Sequence, residues 1–261
     1  MGAPYPFARP DPTDRPPIPG SHDPVPRRPT AWRRLTTATR WPVGVGLTSW
    51  SYMWRTTPLH RTEEAGNRDD DAPPPVPAGL NDEEVLGPDS GVGPLFHRRY
   101  RGRVRDARLS AEALMTQLHE DPDRAAPTAM ASFQKVHGDE GAMAVNDEYV
   151  VRMPGPWDGP VRVAEVTPRS FRLLTLESHL EAGTIEFRAE DEEGRLRFEI
   201  ESWARSGSRM SNLLYHHLRM AKEIQLHMWT SYIERVAKRS GGRLDRGLEI
   251  HTRRVEWPDG A

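Results

Sequence analysis

The chain has no cysteine among its 261 residues. That excludes a disulfide framework, thiolate catalysis and cysteine-ligated zinc, and it suits the reducing cytoplasm, the expected location. No run approaches the ~18 apolar residues of a membrane span. Where a signal peptide carries an apolar core, the first 30 residues carry prolines and charges. Pro6 stands where a myristoylation signal needs Ser or Thr. Catalytic signatures are missing too: there is no G-x-S-x-G, no P-loop and no HExxH, and Gly91 and Gly93 make only the first half of a dinucleotide fingerprint. No cofactor and no metal are expected, and no recognisable motif argues for an enzyme.

What is present is unevenly spread. Apolar residues are 36% of the chain and the mean hydropathy is -0.73, yet ten of the 25 prolines fall in the first 30 residues and the apolar periodicity begins after residue 94. Charge is segregated as well. Residues 1–61 hold nine arginines against three aspartates, and residues 63–89 hold nine acids against one arginine, Arg68. Such blocks stay solvated. The expected organisation is a disordered Pro/Arg-rich head (1–31), a basic Trp-containing tether (32–61), an acidic Pro-rich linker (62–90), one folded domain (91–242) and a C-terminal tail (243–261). Within the tether, Val43, Leu47, Trp50 and Trp54 share a helical stripe that Gly44 and Gly46 weaken. The expected reading is a segment that packs on its own domain; the alternative is a weak membrane or protein contact. No specific nucleic-acid partner is expected.

The domain reads as alternating strands and two main helices. Phe96, Tyr100 and Val104 lie among arginines in an amphipathic strand, expected near a sheet edge. Ser110 caps a helix with Leu114, Met115 and Leu118 on one side. Strands follow in 129–138, in the stretch before the Pro154-Gly155-Pro156 turn, and in 159–168 and 169–178. The stretch HLEAGTIEFRAEDEEGRLRFEIESWARS (179–206) is a hairpin. Ile185, Phe187, Ala189, Leu196, Phe198 and Ile200 form its dry face, and charged residues alternate with them. A long helix over 210–238 follows, stopped by Gly241-Gly242. Leu214, Leu218, Ala221, Met228, Tyr232 and Val236 share its apolar face, with Arg219, Glu223, Thr230 and Glu234 opposite. This order gives an α+β, helix-grip fold: a curved antiparallel sheet of about seven strands wrapped on a long C-terminal helix, with short helices after the first strand.

Residues 157–187, WDGPVRVAEV and then SFRLLTLESHLEAGTIEF, together with GVGPLFHRRY (91–100), resemble the bacterial and plant family called domain of unknown function 1990. The resemblance covers roughly residues 91–240. It implies a START-like, polyketide-cyclase-like ligand-binding superfamily and no established activity. The family motif His-x-Glu-x-Gly with a following Phe falls on His179, Glu181, Gly183 and Phe187. Leu180 stands where proline is common, and Thr184 and Ile185 replace a pair of acids.

The expected function is binding of a hydrophobic or amphipathic small molecule between sheet and helix, with Phe171, Leu173, His179, Glu181, Phe187, Phe198, Gln225, Met228 and Tyr232 as lining candidates. Gln225 is singled out because an amide inside an apolar stripe needs polar partners. The first alternative is a cyclase- or hydrolase-like enzyme using His179 and Glu181 as acid–base groups; against it stands a turn in which both satisfy backbone groups. The second is an interaction protein whose head engages a membrane or partner through Trp50 and Trp54. Trp203 and Trp229 are expected where the helix meets the sheet edge. His216, Glu223 and His227 fall on the expected wet face of the helix, and with His217 they make no metal signature.

Overall fold

The computed structural model describes residues 57–127, 131–152, 158–207 and 220–258, with the main chain alone at 220–224. The elements run β1 (Leu59–Ala65), β2 (Val92–Arg105), α1 (Ala111–Glu120), β3 (Ser132–His137), β4 (Glu148–Arg152), β5 (Asp158–Thr167), β6 (Ser170–Thr175), β7 (Glu181–Glu192), β8 (Arg195–Ser206), α2 (Met220–Arg239) and β9 (Arg243–Val255). The strands form one nine-stranded sheet in the order β1-β9-β2-β8-β7-β6-β5-β4-β3. Every neighbouring pair is antiparallel except β1 with β9. The head (1–31), most of the tether with Trp50 and Trp54, the Pro154-Gly155-Pro156 turn, His216 and His217 lie outside the described residues, as does the side chain of Glu223.

Local chemistry accounts for the elements that the patterns foretell. Ser110 accepts the Ala113 N–H at 3.2 Å and so caps α1. The β7–β8 hairpin closes through Glu193 and Gly194, both at positive φ (47° and 76°), between the paired residues Glu192 and Arg195. Two such residues make the turn whose twist matches the flanking strands. At the end of α2 the Gly242 N–H donates to Ala237 O and the Gly241 N–H to Lys238 O, with Gly241 at φ +78°. These two bonds are a Schellman stop.

Three expectations about the frame are corrected. The sheet has nine strands rather than about seven, and α2 is followed by a strand. The expected tail is β9, and β1 spans the end of the expected tether and the start of the expected linker, so β2 is an interior strand and not an edge. The rest of the expected linker packs on the outer face of the sheet. Leu80 and Val85 meet Ala164, Leu174 and Leu176 there, and Asp82 and Glu84 pair with Arg162. The acidic block is ordered because its carboxylates find arginines of the sheet.

The inner face carries α2. Phe187 stacks on Phe171 with centroids 4.6 Å apart and meets Trp229 and Tyr232 of α2 at 5.5 and 5.4 Å. Gly102 lets the helix settle onto β2, since a Cβ there would come 2.6 Å from Ile233. The polar side expected for the helix differs in part. Thr230 is fully buried, with its hydroxyl donating to Leu226 O, and His227 is only 8% exposed. A threonine that bonds its own preceding turn can be buried without an orphaned hydroxyl. Among the described residues no helix is long and apolar enough to cross a membrane.

Outward-facing residues of β2, β8, β7 and β9 form an ionic lattice around two buried carboxylates. Glu201 accepts from His97 at 2.7 Å, from Arg99 at 2.5 Å and from Arg188 at 3.0 Å; Glu199 accepts from Arg101 at 2.7 Å and also from Arg188. Trp203 belongs to this outer face. It follows Arg197, Glu199 and Glu201 in register and stacks on His97 at 4.9 Å, which corrects its expected place beside the helix. Only Trp229 packs there.

Two outcomes follow. A chain ending at Gly242, the expected boundary, loses β9 and strands β1, and it is expected to give no cooperatively folded product by circular dichroism. A folded fragment would show β9 to be dispensable. Burial would raise the Glu201 carboxyl, but hydrogen bonds from His97 and Arg99 outweigh that and lower it from 4.5 to about 2. Its contribution, a few kcal/mol, is therefore complete above pH 4.5 and is lost as pH falls towards 2. Thermal unfolding followed across that window should show the loss. Glu201→Gln should flatten the acid dependence while costing about 3–5 kcal/mol at pH 7, because it leaves buried cations unpaired.

Candidate functional site

The family-like turn leads into β7 at its Glu181 end, close to Gln225 of α2. His179 follows Ser178, which is held at φ 79°, and its N–H donates to Leu176 O. Its ring turns back on its own strand, where Nδ1 accepts the Glu181 N–H at 2.9 Å. Burial holds the imidazole below its ordinary range in spite of nearby Glu181. The same Nδ1 lies 3.0 Å from the Glu181 carbonyl oxygen, so the main chain of the turn engages this nitrogen in either tautomer. Gly183 is required two residues later: a Cβ there would lie 1.9 Å from Trp203 O, so β7 and β8 close with no room for a side chain. The Gly183 N–H donates to Thr175 Oγ1 at 2.9 Å, which ties β6 to the same corner.

From this corner Glu181 reaches towards the helix. Its Oε2 accepts from Gln225 Nε2 at 3.0 Å, and Gln225 Oε1 accepts from Arg98 Nη1 at 2.8 Å. One amide therefore bridges a carboxylate on β7 and a guanidinium on β2. Arg98 is 5% exposed, and its guanidinium lies over the Phe96 ring at 4.7 Å. A cation this deep needs both hydrogen bonds and a nearby counter-charge; Gln225 and Glu181 supply them in series. Ser202 stands opposite Arg98 in register, buried at 3%, and its hydroxyl has no hydrogen-bond partner among the described residues. The corner so built is polar, and Phe96, whose ring the guanidinium covers, is half-buried.

The structure brings together three of the candidates: Glu181 and Gln225 through side chains, and His179 through the main chain of Glu181. The other six lie apart from that corner. Phe171, Leu173, Phe187, Phe198 and Tyr232 are at most 1% exposed and Met228 is 5% exposed. They pack against one another as the centre of the core, and Tyr232 donates to Pro122 O at 3.4 Å. Surface this small leaves no water-sized space beside the rings.

Sequence reasoning missed Arg98 and Ser202. Arg98 shares its parity with Tyr100 and Val104, so a cation in the apolar row of β2 was the available signal. Ser202 shares parity with Phe198 and Ile200 in the same way. Among the described residues, no three His, Asp or Glu side chains gather as metal ligands would.

The chain was compared with known proteins. No curated protein matches it. Among solved structures it is similar to a hypothetical protein from Helicobacter pylori, at 10% identity over 54% of this chain and 86% of that one, with a TM-score of 0.42. It is also similar to norcoclaurine synthase from Thalictrum flavum, solved with dopamine and hydroxybenzaldehyde, at 10% identity over 61% and 92% with a TM-score of 0.40. A third is a protein from Arthrobacter aurescens, at 19% identity over 55% and 86%, with a TM-score of 0.38. Likenesses this distant assign no role to any residue. A family model described as a domain of unknown function (DUF1990) matches residues 96–235.

The corner makes opposite demands on two neighbouring substitutions. Gln225→Leu removes two hydrogen bonds, one to Arg98 and one to Glu181, and should destabilise by about 1–3 kcal/mol. Ser202→Ala removes a hydroxyl without a partner and should be neutral or stabilising by about 1 kcal/mol. Urea unfolding of the two variants measures both. A large loss from Ser202→Ala would contradict the burial of an unbonded hydroxyl.

Proposed function

Because the chain belongs to the domain of unknown function 1990 family, for which the fold supplies a helix laid on a curved sheet, we propose that the domain binds a small amphipathic molecule at the polar end of the sheet–helix gap. The observation that carries this reading is the Arg98–Gln225–Glu181 chain: a buried cation and a half-buried carboxylate held apart by one amide, beside the unbonded hydroxyl of Ser202. Such a corner offers donors and an acceptor within one small volume, and a few convergent polar groups in an apolar frame are what orient a bound molecule. The ligand's polar head lies against Arg98, Gln225, Glu181 and Ser202. Its apolar part lies along Phe96, Leu180 and Ile185, and not among the closed rings of Phe171, Phe187 and Phe198.

The role of His179 in this reading is to hold the turn. Its Nδ1 is occupied by the Glu181 N–H and the Glu181 carboxylate is turned to Gln225, which favours binding over the acid–base alternative.

The test is native mass spectrometry of the full chain purified without denaturant, with wild type and Gln225→Leu compared. A stoichiometric small molecule in the wild type that is lost from the variant, with the circular dichroism spectrum unchanged, is the expected result. A chain that carries nothing, and whose melting temperature no amphipathic compound raises, would overturn the reading.

A further inference from the structure

The opposite face of the sheet holds a second place where a small molecule fits. A cleft of about 200 Å³ above β9 and β2 is lined by His97, Arg99, Arg101, His251 and Arg253. Each of these residues is cationic or can become so. The register sets them in facing pairs, Arg99 opposite His251 and His97 opposite Arg253. Each pair sets a guanidinium against an imidazole, with no acid in either pair, so each can take an anion between its members.

One pair has its anion. Asp71 accepts from His97 at 2.7 Å and from Arg253 at 3.3 Å through the same oxygen. Among the described residues no carboxylate bridges the other pair. Arg99 turns its Nε and Nη2 to Glu201 on β8. His251 turns Nδ1 to the Thr62 hydroxyl at 2.7 Å. Arg253 uses Nε on Glu64 and Nη1 on Asp71. Arg99 Nη1, Arg253 Nη2 and His251 Nε2 are left without a partner among the described residues. Arg99 and Arg253 keep 38% and 43% of their side-chain surface exposed, so their remaining donors are open to solvent.

We propose that this cleft binds the phosphoryl group of a small phosphate-bearing molecule. Several donors converge from two strands, which suits a tetrahedral anion with three or more oxygens better than a planar carboxylate that a single guanidinium satisfies. The guanidiniums are held in place beforehand, because the buried carboxylates Glu199 and Glu201 fix Arg101 and Arg99 from below. Those same acids cancel most of the local charge. Recognition therefore rests on short, directed hydrogen bonds and not on a long-range field. The site lies on the face of the sheet away from Gln225, so it stands or falls independently of the amphipathic-ligand reading.

Pyrophosphate is the probe, titrated into the full chain by calorimetry with chloride and acetate as control anions. Saturable one-to-one binding of pyrophosphate, absent with acetate, is expected. Arg253→Gln should weaken it about tenfold or more, the usual worth of a charged hydrogen bond. His251→Ala should weaken it too, and this second variant leaves the Asp71 contacts untouched. Vesicles containing phosphatidic acid give the other arm. Capture by the vesicles that pyrophosphate reverses assigns the phosphoryl group to a lipid head; no capture assigns it to a soluble ester. Absence of saturable pyrophosphate binding, or binding that both variants leave unchanged, would overturn the proposal.

Discussion

Phe187, Phe198 and Ile200 turn one way from β7 and β8, while Arg188, Glu199 and Glu201 turn the other, and neither row can be shifted without the other. A strand slipped by one residue would put buried carboxylates against α2 and phenylalanines into water. The strict two-residue period therefore does two things. It seats the helix on an aromatic surface, and it builds beneath that surface a lattice in which two carboxylates hold three arginines and a histidine. The lattice reaches further than a row of surface ion pairs, each worth little in water, because Glu199 and Glu201 are almost fully buried. Each of these two glutamates takes partners from β2 and β7 at once, and so the register of the outer face is specified as well.

That period also explains why one corner of the inner face is polar. Arg98 and Ser202 sit in the apolar rows, opposite each other, and Gln225 meets Arg98 from the helix. Polar residues that break the local rule side by side on facing elements are where a functional site is to be sought. The neighbouring turn serves it. His179 and Gly183 spend their chemistry on main-chain geometry, and the outcome of that geometry is the direction in which Glu181 points.

Most of the central fold was legible because its signals are local. A capping serine, a two-residue turn with glycine, a diglycine helix stop and the alternation of residues 181–206 each act within a few residues. Gln225 was legible as an anomaly in a stripe. β1 and β9 were not: LHRTEEA is apolar only at its two ends, and in RLDRGLEIHTRRV only Leu244, Leu248, Ile250 and Val255 are large and apolar. These segments are strands because of what lies beside them, and propensity carries little of that information. The acidic stretch after β1 misled for the same reason. Its charges look solvated until the arginines they meet are placed in space. The aromatic candidates were correctly drawn inward, but inwardness alone does not separate a lined space from a filled one.

The place of β9 has a kinetic consequence. It follows every other strand in the chain, yet it stands between the earliest strand and β2. While the chain is being made, β2, β8 and β7 can pair as they appear, and β1 has nothing to pair with. The sheet gains its first strand only when its last arrives, and a contact that joins residues nearly 190 positions apart is among the slowest to form. Until then β2 keeps an open edge flanked by arginines, and edge charge of that kind discourages pairing with other chains. The basic row on the outer face thus guards the unfinished sheet during the interval in which it is exposed.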